Sequence, residues 1–205
     1  MIQLRDYIQD FSRSPLQPWA DLAPWDLVTQ APAIVRQLLA LLPADDYVIQ
    51  DEIAVHKSAT VETGAVLKAP LIIGAHCFVA AGAYLRGGCW VDERCTFGPG
   101  AELKTSFVFS GSKLAHFNFV GDSVLGHGVN LEAGSIVANY RNERADKEVQ
   151  VRINGQLQRT GCDKFGALLG DESRIGANAV TAPGAIIAPG GVVGRGQVFD
   201  AEVQA

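Results

Sequence analysis

Large apolar residues recur at every sixth position through the middle of the chain. The series runs Val55, Val61, Leu67, Ile73, Val79, Leu85, Val91, Phe97 and Leu103. Four residues after each stand Ala59, Ala65, Leu71, Cys77, Ala83, Cys89, Cys95, Ala101 and Phe107, most of them small. A period of six matches neither an α-helix nor one long alternating strand. It fits short strands joined by tight turns and wound into a three-sided prism. The large residue points to the axis, and the small one lies where the backbone turns close to it. The pattern returns at Leu125, Leu131 and Val137. It returns again at Leu169, Ile175, Thr181, Ile187 and Val193, with Ser173, Ala179, Ala185, Gly191 and Gln197 at the small sites. Three hexads close one coil, so residues 18 apart stack on neighbouring coils at about 4.8 Å. The expected fold is all-β, a parallel β-helix.

Three stretches break the period. Residues 1–48 lack it. Leu4 to Phe11 and Trp25 to Leu42 carry helix-like apolar spacing, punctuated by Pro15, Pro18 and Pro24. A solenoid needs its open end covered. This predicts an N-terminal helical cap over 1–48, with Trp19 and Trp25 on the first coil, and a β-helix over 49–205. The second break is an insertion at 139–168. There Val149, Val151 and Ile153 alternate with polar residues ahead of Asn154-Gly155, which predicts an extruded β-hairpin. Loops of that length are usually functional. The third is a phase slip: Leu103 to Leu125 is 22 residues, three hexads plus four. A bulge is expected in that coil, and it contains His116.

Composition narrows the class. Apolar residues make up 48% and charged ones 19%, too hydrophobic for a disordered chain. A net charge of −5 argues against a nucleic-acid partner. The stretch Ala33 to Leu42, broken by Arg36 and Gln37, is too short to span a bilayer. No secretory signal opens the chain, so no membrane and a cytoplasmic location are expected. The four cysteines form no CxxC pair. Cys77, Cys89 and Cys95 fall on small sites of the repeat and read as core residues. His56, His76 and His127 give no converging metal set with His116, so no metal is expected.

Charge placement suggests chemistry. The residue after each large site faces outward, and at three places 18 apart it is basic: Lys68, Arg86 and Lys104. Three cations would stack on one edge. Like charges opposite one another destabilise a sheet, and a bound phosphate would relieve that.

Residues 102–140 read ELKTSFVFSGSKLAHFNFVGDSVLGHGVNLEAGSIVANY. Lys104, the run Gly111-Ser112-Lys113 followed by His116, then Gly121-Asp122, Val129-Asn130 and Asn139-Tyr140 resemble the acetyltransferase domain of bifunctional N-acetylglucosamine-1-phosphate uridylyltransferase. Residues 149–184 are still more similar to archaeal sugar-1-phosphate nucleotidylyltransferase/acetyltransferases. The strict hexads resemble the hexapeptide-repeat acyltransferases generally, whose helix is left-handed, an exception to the usual crossover rule.

The resemblance implies an acyl-CoA-dependent N-acyltransferase, most simply an acetyl-CoA-dependent one, acting on a phosphorylated amino sugar such as glucosamine 1-phosphate. It implies a homotrimer with sites between subunits and the hairpin reaching a neighbour. His116 matches the general base, and imidazole titrates near pH 6.5 when unperturbed, suited to taking an amine proton. Arg86 and Lys104 match phosphate-holding cations. Asn130 matches a sugar contact, Asn139 and Tyr140 the acyl-CoA and sugar junction, and Ala133 a backbone contact to the cofactor. Phe119 stands where the family has a tyrosine against the phosphate. The lysine expected after Asn-Tyr is replaced by a choice of Arg144 or Lys147. A Gly-rich nucleotide loop does not occur in these 205 residues. Three other readings stay open: a nucleotide-linked amino sugar as acceptor, a non-catalytic scaffold, and a metal-dependent hydratase.

Overall fold

The computed structural model describes residues 2–203. The hexads become strands of two or three residues, one per side of each coil, and each strand stacks on its counterpart in the next coil. The result is a left-handed prism of three parallel sheets. One sheet has eight strands, from Tyr47–Gln50 and Ile53–His56 through Cys89–Val91, Phe107–Val108 and Val124–Leu125 to Ala185–Ile187. Its first pair is antiparallel and the rest are parallel. A second sheet, called the cation sheet below, runs Val66–Leu67, Tyr84–Arg86, Glu102–Lys104, Phe119–Gly121, Ile136–Val137, Val180–Thr181 and Val198–Phe199. The third runs from Thr60–Val61 through Lys113–Leu114 and Asn130–Leu131 to Val192–Val193.

The axis is filled as the six-residue pattern predicts. Ile73, Val79, Leu85, Val91, Phe97 and Leu103 are buried in one cluster with Cys77, Ala83, Cys89, Cys95 and Ala101. Burial pushes the Cys89 thiol up to about 12, so it is a neutral core group rather than a nucleophile.

The phase slip is a tightening, where a bulge was expected. Leu85 pairs with Leu103, 18 positions on, but Leu103 pairs with Val120 and Val120 with Val137, each 17 on. One residue is lost at each of two successive corners between the cation sheet and the eight-stranded sheet. Ser106, not Phe107, occupies the small inward site there, and Phe107 faces outward opposite Trp90. Serine hydroxyls close these shorter corners. Ser106 Oγ donates to Lys104 O at 2.7 Å and accepts from Ser123 N at 3.0 Å. Ser123 Oγ repeats the device with Gly121 O at 2.7 Å and Ala167 N at 3.0 Å.

The N-terminal segment lies along a flank, not over the open end. Its helices include Pro24–Thr29 and Ala31–Leu39. Leu4, Ile8, Phe11, Leu27, Ile34, Val35 and Leu38 bury against Ala54, Ile72, Trp90, Phe107, Val124 and Leu168, the outward row of the eight-stranded sheet. That sheet is apolar on both faces, so water must be excluded from its outer side as well. Gly88 permits the close approach: a Cβ there would meet Pro32 Cα at 2.8 Å. Trp25 packs edge-on to Phe165, centroids 6.0 Å apart, at a late coil instead of the first. The sequence boundary at 48/49 falls inside the strand Tyr47–Gln50.

The insertion does form a hairpin, Gln150–Ile153 with Gln156–Arg159. Asn154 and Gly155 take φ of 50° and 78°, as its two-residue turn requires. Its first strand folds back on its own chain, with Val149 and Val151 buried in the flank core. The second strand, Gln156–Arg159, is exposed throughout.

Candidate active site

Lys68, Arg86 and Lys104 stand on adjacent strands of the cation sheet. Leu67 pairs with Leu85, and Lys104 is in register with Arg86. The stack is therefore real, but carboxylates already divide it. Arg86 Nη2 lies 2.7 Å from Glu102 Oε1, and Lys104 Nζ lies 2.6 Å from Asp122 Oδ2. Among the described residues Lys68 makes no ion pair, and it is exposed. The Arg86 guanidinium also sits 5.6 Å over the Tyr84 ring.

The outward row beside the cations reads Val66, Tyr84, Glu102, Phe119, Ile136, Val180 and Val198. Phe119 thus lies in the middle of the face. Gly121 follows in the cation row, next to Lys104. A Cβ at Gly121 would fall 2.7 Å from Asn139 Nδ2 and 2.9 Å from Phe119 Cζ. The missing side chain makes the slot in which the Asn139 amide lies. Asn139 Nδ2 donates to Asp122 Oδ2, so Lys104, Asp122 and Asn139 form one network.

His116 occupies the opposite edge of the same face, at the corner between Lys113–Leu114 and Phe119–Gly121. It is exposed, and among the described residues its ring makes no hydrogen bond. Its corner is fixed by other groups. Gly98 leaves room beneath it, since a Cβ there would lie 1.6 Å from Ala115 O. Buried Asn118 anchors the corner to the next coil, donating to Glu132 O at 2.7 Å and Ser135 Oγ at 2.9 Å. Gly134 N donates to His116 O at 2.9 Å, which sets Ala133 directly above the histidine corner. A three-residue strand separates His116 from the cations, about 10 Å at the usual rise.

The structure therefore gathers the expected residues into two clusters on one face. His116 and Ala133 lie at one edge, Arg86, Lys104 and Asn139 at the other, and Phe119 between them. Asn130 is not brought to either. It lies on the third sheet in a groove with Glu132, Arg174 and Arg195. The hydrogen bond from Arg195 holds the Glu132 carboxyl down to about 2. Among the described residues no group of three His, Cys, Asp or Glu could hold a metal ion, and no helix is long and apolar enough to cross a membrane.

Of Arg144 and Lys147, the second lies beside Tyr140. Lys147 Nζ lies 5.2 Å from the Tyr140 ring and donates to Arg141 O and Asn142 O. Arg144 instead turns away to Glu202 and Glu148 O. Two further residues shape the site, Asp122, which belongs to the Gly121-Asp122 motif but has no role assigned from it, and Arg141. Asp122 was within reach, since one further step of 18 from Lys104 lands on it. Buried Arg141, which grips Asp200 with two hydrogen bonds of 2.8 and 2.7 Å, carries no local signal.

No protein-family model matches the chain. The bifunctional sugar-1-phosphate nucleotidylyltransferase/acetyltransferase of Sulfurisphaera tokodaii is 32% identical over 159 residues, 78% of this chain and 39% of that protein. Bifunctional protein GlmU of Methanococcus maripaludis is 26% identical over 193 residues, 91% of this chain and 46% of that one. The chain spans less than half the length of either relative. Among solved structures, a perosamine N-acetyltransferase mutant from Caulobacter crescentus, in complex with CoA and GDP-perosamine, overlaps 81% of this chain and 69% of its own. It does so at 19% identity and a TM-score of 0.40, too loose to bear on the site.

Proposed function

Because the chain is a hexapeptide-repeat homologue of the acetyltransferase region of GlmU and of the archaeal bifunctional sugar-1-phosphate enzymes, we propose that it transfers an acyl group, acetyl foremost, from CoA to the amine of a phosphorylated amino sugar. The observation that supports this most is the pairing of Arg86 with Lys104 on adjacent strands of a face whose far edge carries an exposed, unbonded histidine. The phosphate docks on Arg86 and Lys104, the sugar lies across Phe119, and the amine reaches toward His116. An ammonium has no lone pair for attack, so the amine enters as the neutral base, its first proton lost to solvent, and His116 takes a second as the nitrogen adds to the thioester carbon and returns it to the departing thiolate. Backbone N–H groups at Ala133 or Tyr140 stabilise the developing oxyanion. Collapse expels CoA thiolate, and no enzyme-bound acyl group is needed. Holding both reactants supplies much of the rate.

Phe119 removes the hydroxyl that the family places against the phosphate, which leaves Arg86 and Lys104 as its donors. The test is thiol release from acetyl-CoA with glucosamine 1-phosphate, free glucosamine and a nucleotide-linked amino sugar as acceptors. Turnover should require the sugar 1-phosphate. Arg86→Ala should raise its KM about 10- to 100-fold, the size of a lost charge-assisted hydrogen bond. Equal use of free glucosamine would end the phosphate reading, and preference for the nucleotide-linked sugar would replace it.

A homotrimer is part of the proposal. The N-terminal segment already covers one side of the prism, leaving the other two with exposed Val66, Phe78, Val192 and Val198 beside half-buried Tyr84, Phe119 and Ile136. Sedimentation should give the mass of three chains, and a monomer would refute shared sites.

A further inference from the structure

One carboxylate ties Lys104, which the proposed reaction gives to the phosphate, to Asn139, which the resemblance places at the junction of acyl-CoA and sugar. Asp122 follows Gly121 at the tightened corner with φ of 47°, and its side chain is 8% exposed. Lys104 Nζ donates to Oδ1 at 2.8 Å and to Oδ2 at 2.6 Å, and Asn139 Nδ2 donates to Oδ2 as well. The backbone adds to the knot. Asp122 N donates to Lys104 O at 2.8 Å, Gly166 N to Asp122 O at 2.9 Å, and Phe165 N to Asn139 O at 3.2 Å. Three successive coils and the far end of the insertion thus meet at this residue.

Such an arrangement is poorly suited to anion attraction alone. A lysine left free in water would present its whole charge, whereas here two of its three N–H donors are committed to Asp122. What is gained is direction: the ammonium is held on a short tether with one donor left to offer. Asn139 is fixed in the Gly121 slot by the same oxygen that accepts from Lys104.

We propose that Asp122 is a positioning residue that sets Lys104 and Asn139 together, so that the anion subsite and the acyl-donor subsite are built as one unit. This rests on the functional reading above. Loss of Asp122 should then weaken both ligands at once, although the carboxylate needs to touch neither.

Asp122→Asn preserves the size of the side chain and tolerates the left-handed backbone, while removing the charge that orients the ammonium. Asp122→Ser is a second variant of different shape. Titration calorimetry on the full chain, with CoA and with glucosamine 1-phosphate as separate probes, should show both affinities about tenfold weaker in each variant. The melting temperature should fall, because Lys104 loses a partly buried partner, but both variants should stay folded at the titration temperature and keep the wild-type assembly mass. Lys104→Ala should weaken chiefly the sugar phosphate and Asn139→Ala chiefly CoA. Adding Asp122→Asn to Lys104→Ala should cost the sugar phosphate little more, because contacting residues are not additive. Weakening of one ligand alone, of neither, or fully additive effects would overturn the proposal, as would a wild type that binds neither probe. A wild type that binds both but acetylates no amino sugar phosphate would sink the functional reading and leave the coupling to be judged by the same affinities.

Discussion

His116→Ala should lower acyl transfer by about a hundredfold to ten-thousandfold, the usual contribution of a positioned general base, with no loss of fold. The structure separates the two outcomes clearly. The ring is exposed and makes no hydrogen bond among the described residues, so its removal leaves no buried group without a partner. The corner that carries it is held by Asn118, by Gly134 N on the histidine carbonyl, and by the room at Gly98. None of these depends on the imidazole. Steady-state rates with glucosamine 1-phosphate, alongside melting temperature and sedimentation, measure both halves. Turnover near wild type would remove His116 as the base. Collapse of the fold would show that the ring supports the corner after all. Gly98→Ala makes the complementary point: its Cβ would strike the Ala115 carbonyl, so it should damage activity by shifting the histidine corner without touching the base itself.

Arg141→Ala should be the most destabilising single change at the site, by about 3–5 kcal/mol, the cost of breaking a buried ion pair from one side. The Arg141 side chain is 5% exposed and faces Asp200 at 2.7 Å and Glu202 at 3.2 Å, while Nη2 also donates to Pro183 O. Its removal strands the partly buried Asp200 carboxylate and leaves Glu202 with Arg144 alone. The clamp ties the start of the insertion to the end of the last coil, and Arg144 and Arg152 reinforce it through Glu202 and Ala201 O. Asn139 and Tyr140, which immediately precede Arg141, should lose their fixed position along with stability. Acidity tests the same pair. The hydrogen bond from Arg141 holds the Asp200 carboxyl below the ordinary carboxylate range. The unfolded chain therefore binds the proton more readily, and stability rises with pH across this window. The contribution is complete above the unfolded value near 3.9 and disappears as pH falls through the lower folded one. Urea unfolding at a fixed chain concentration, from pH 6 down to 3, should show this decline in the wild type and a shallower one in Arg141→Met. Identical slopes would mean that the pair does not govern acid stability.

The six-residue series was enough to establish the prism, because every coil repeats the same demand: a large residue at the axis and a small one at the turn. The Asn154-Gly155 turn and the alignment of Arg86 with Lys104 were equally legible, since one depends on two adjacent residues and the other on a fixed period. What failed was what needed a second direction. The row Ala54, Ile72, Trp90, Phe107, Val124 and Leu168 shows that one sheet is apolar on its outer face too, but its members recur only once per coil, on one of every three hexads. The strict period puts Phe107 at a small site, whereas the corner before it is one residue short, and the Ser106 hydroxyl bridging to Lys104 O shows how the shortfall is absorbed. The sequence alone determined the repeat, the hairpin and the candidate chemistry, because periodicity and turn propensity are local properties. The tertiary structure decided where the N-terminal segment lies, which carboxylates neutralise the cations, and that Asp122 and Arg141 hold the site together. Those contacts join residues as distant in sequence as Gln9 and Asp171, 162 positions apart, and their energy comes from burial and charge pairing, which exist only once the coils have stacked.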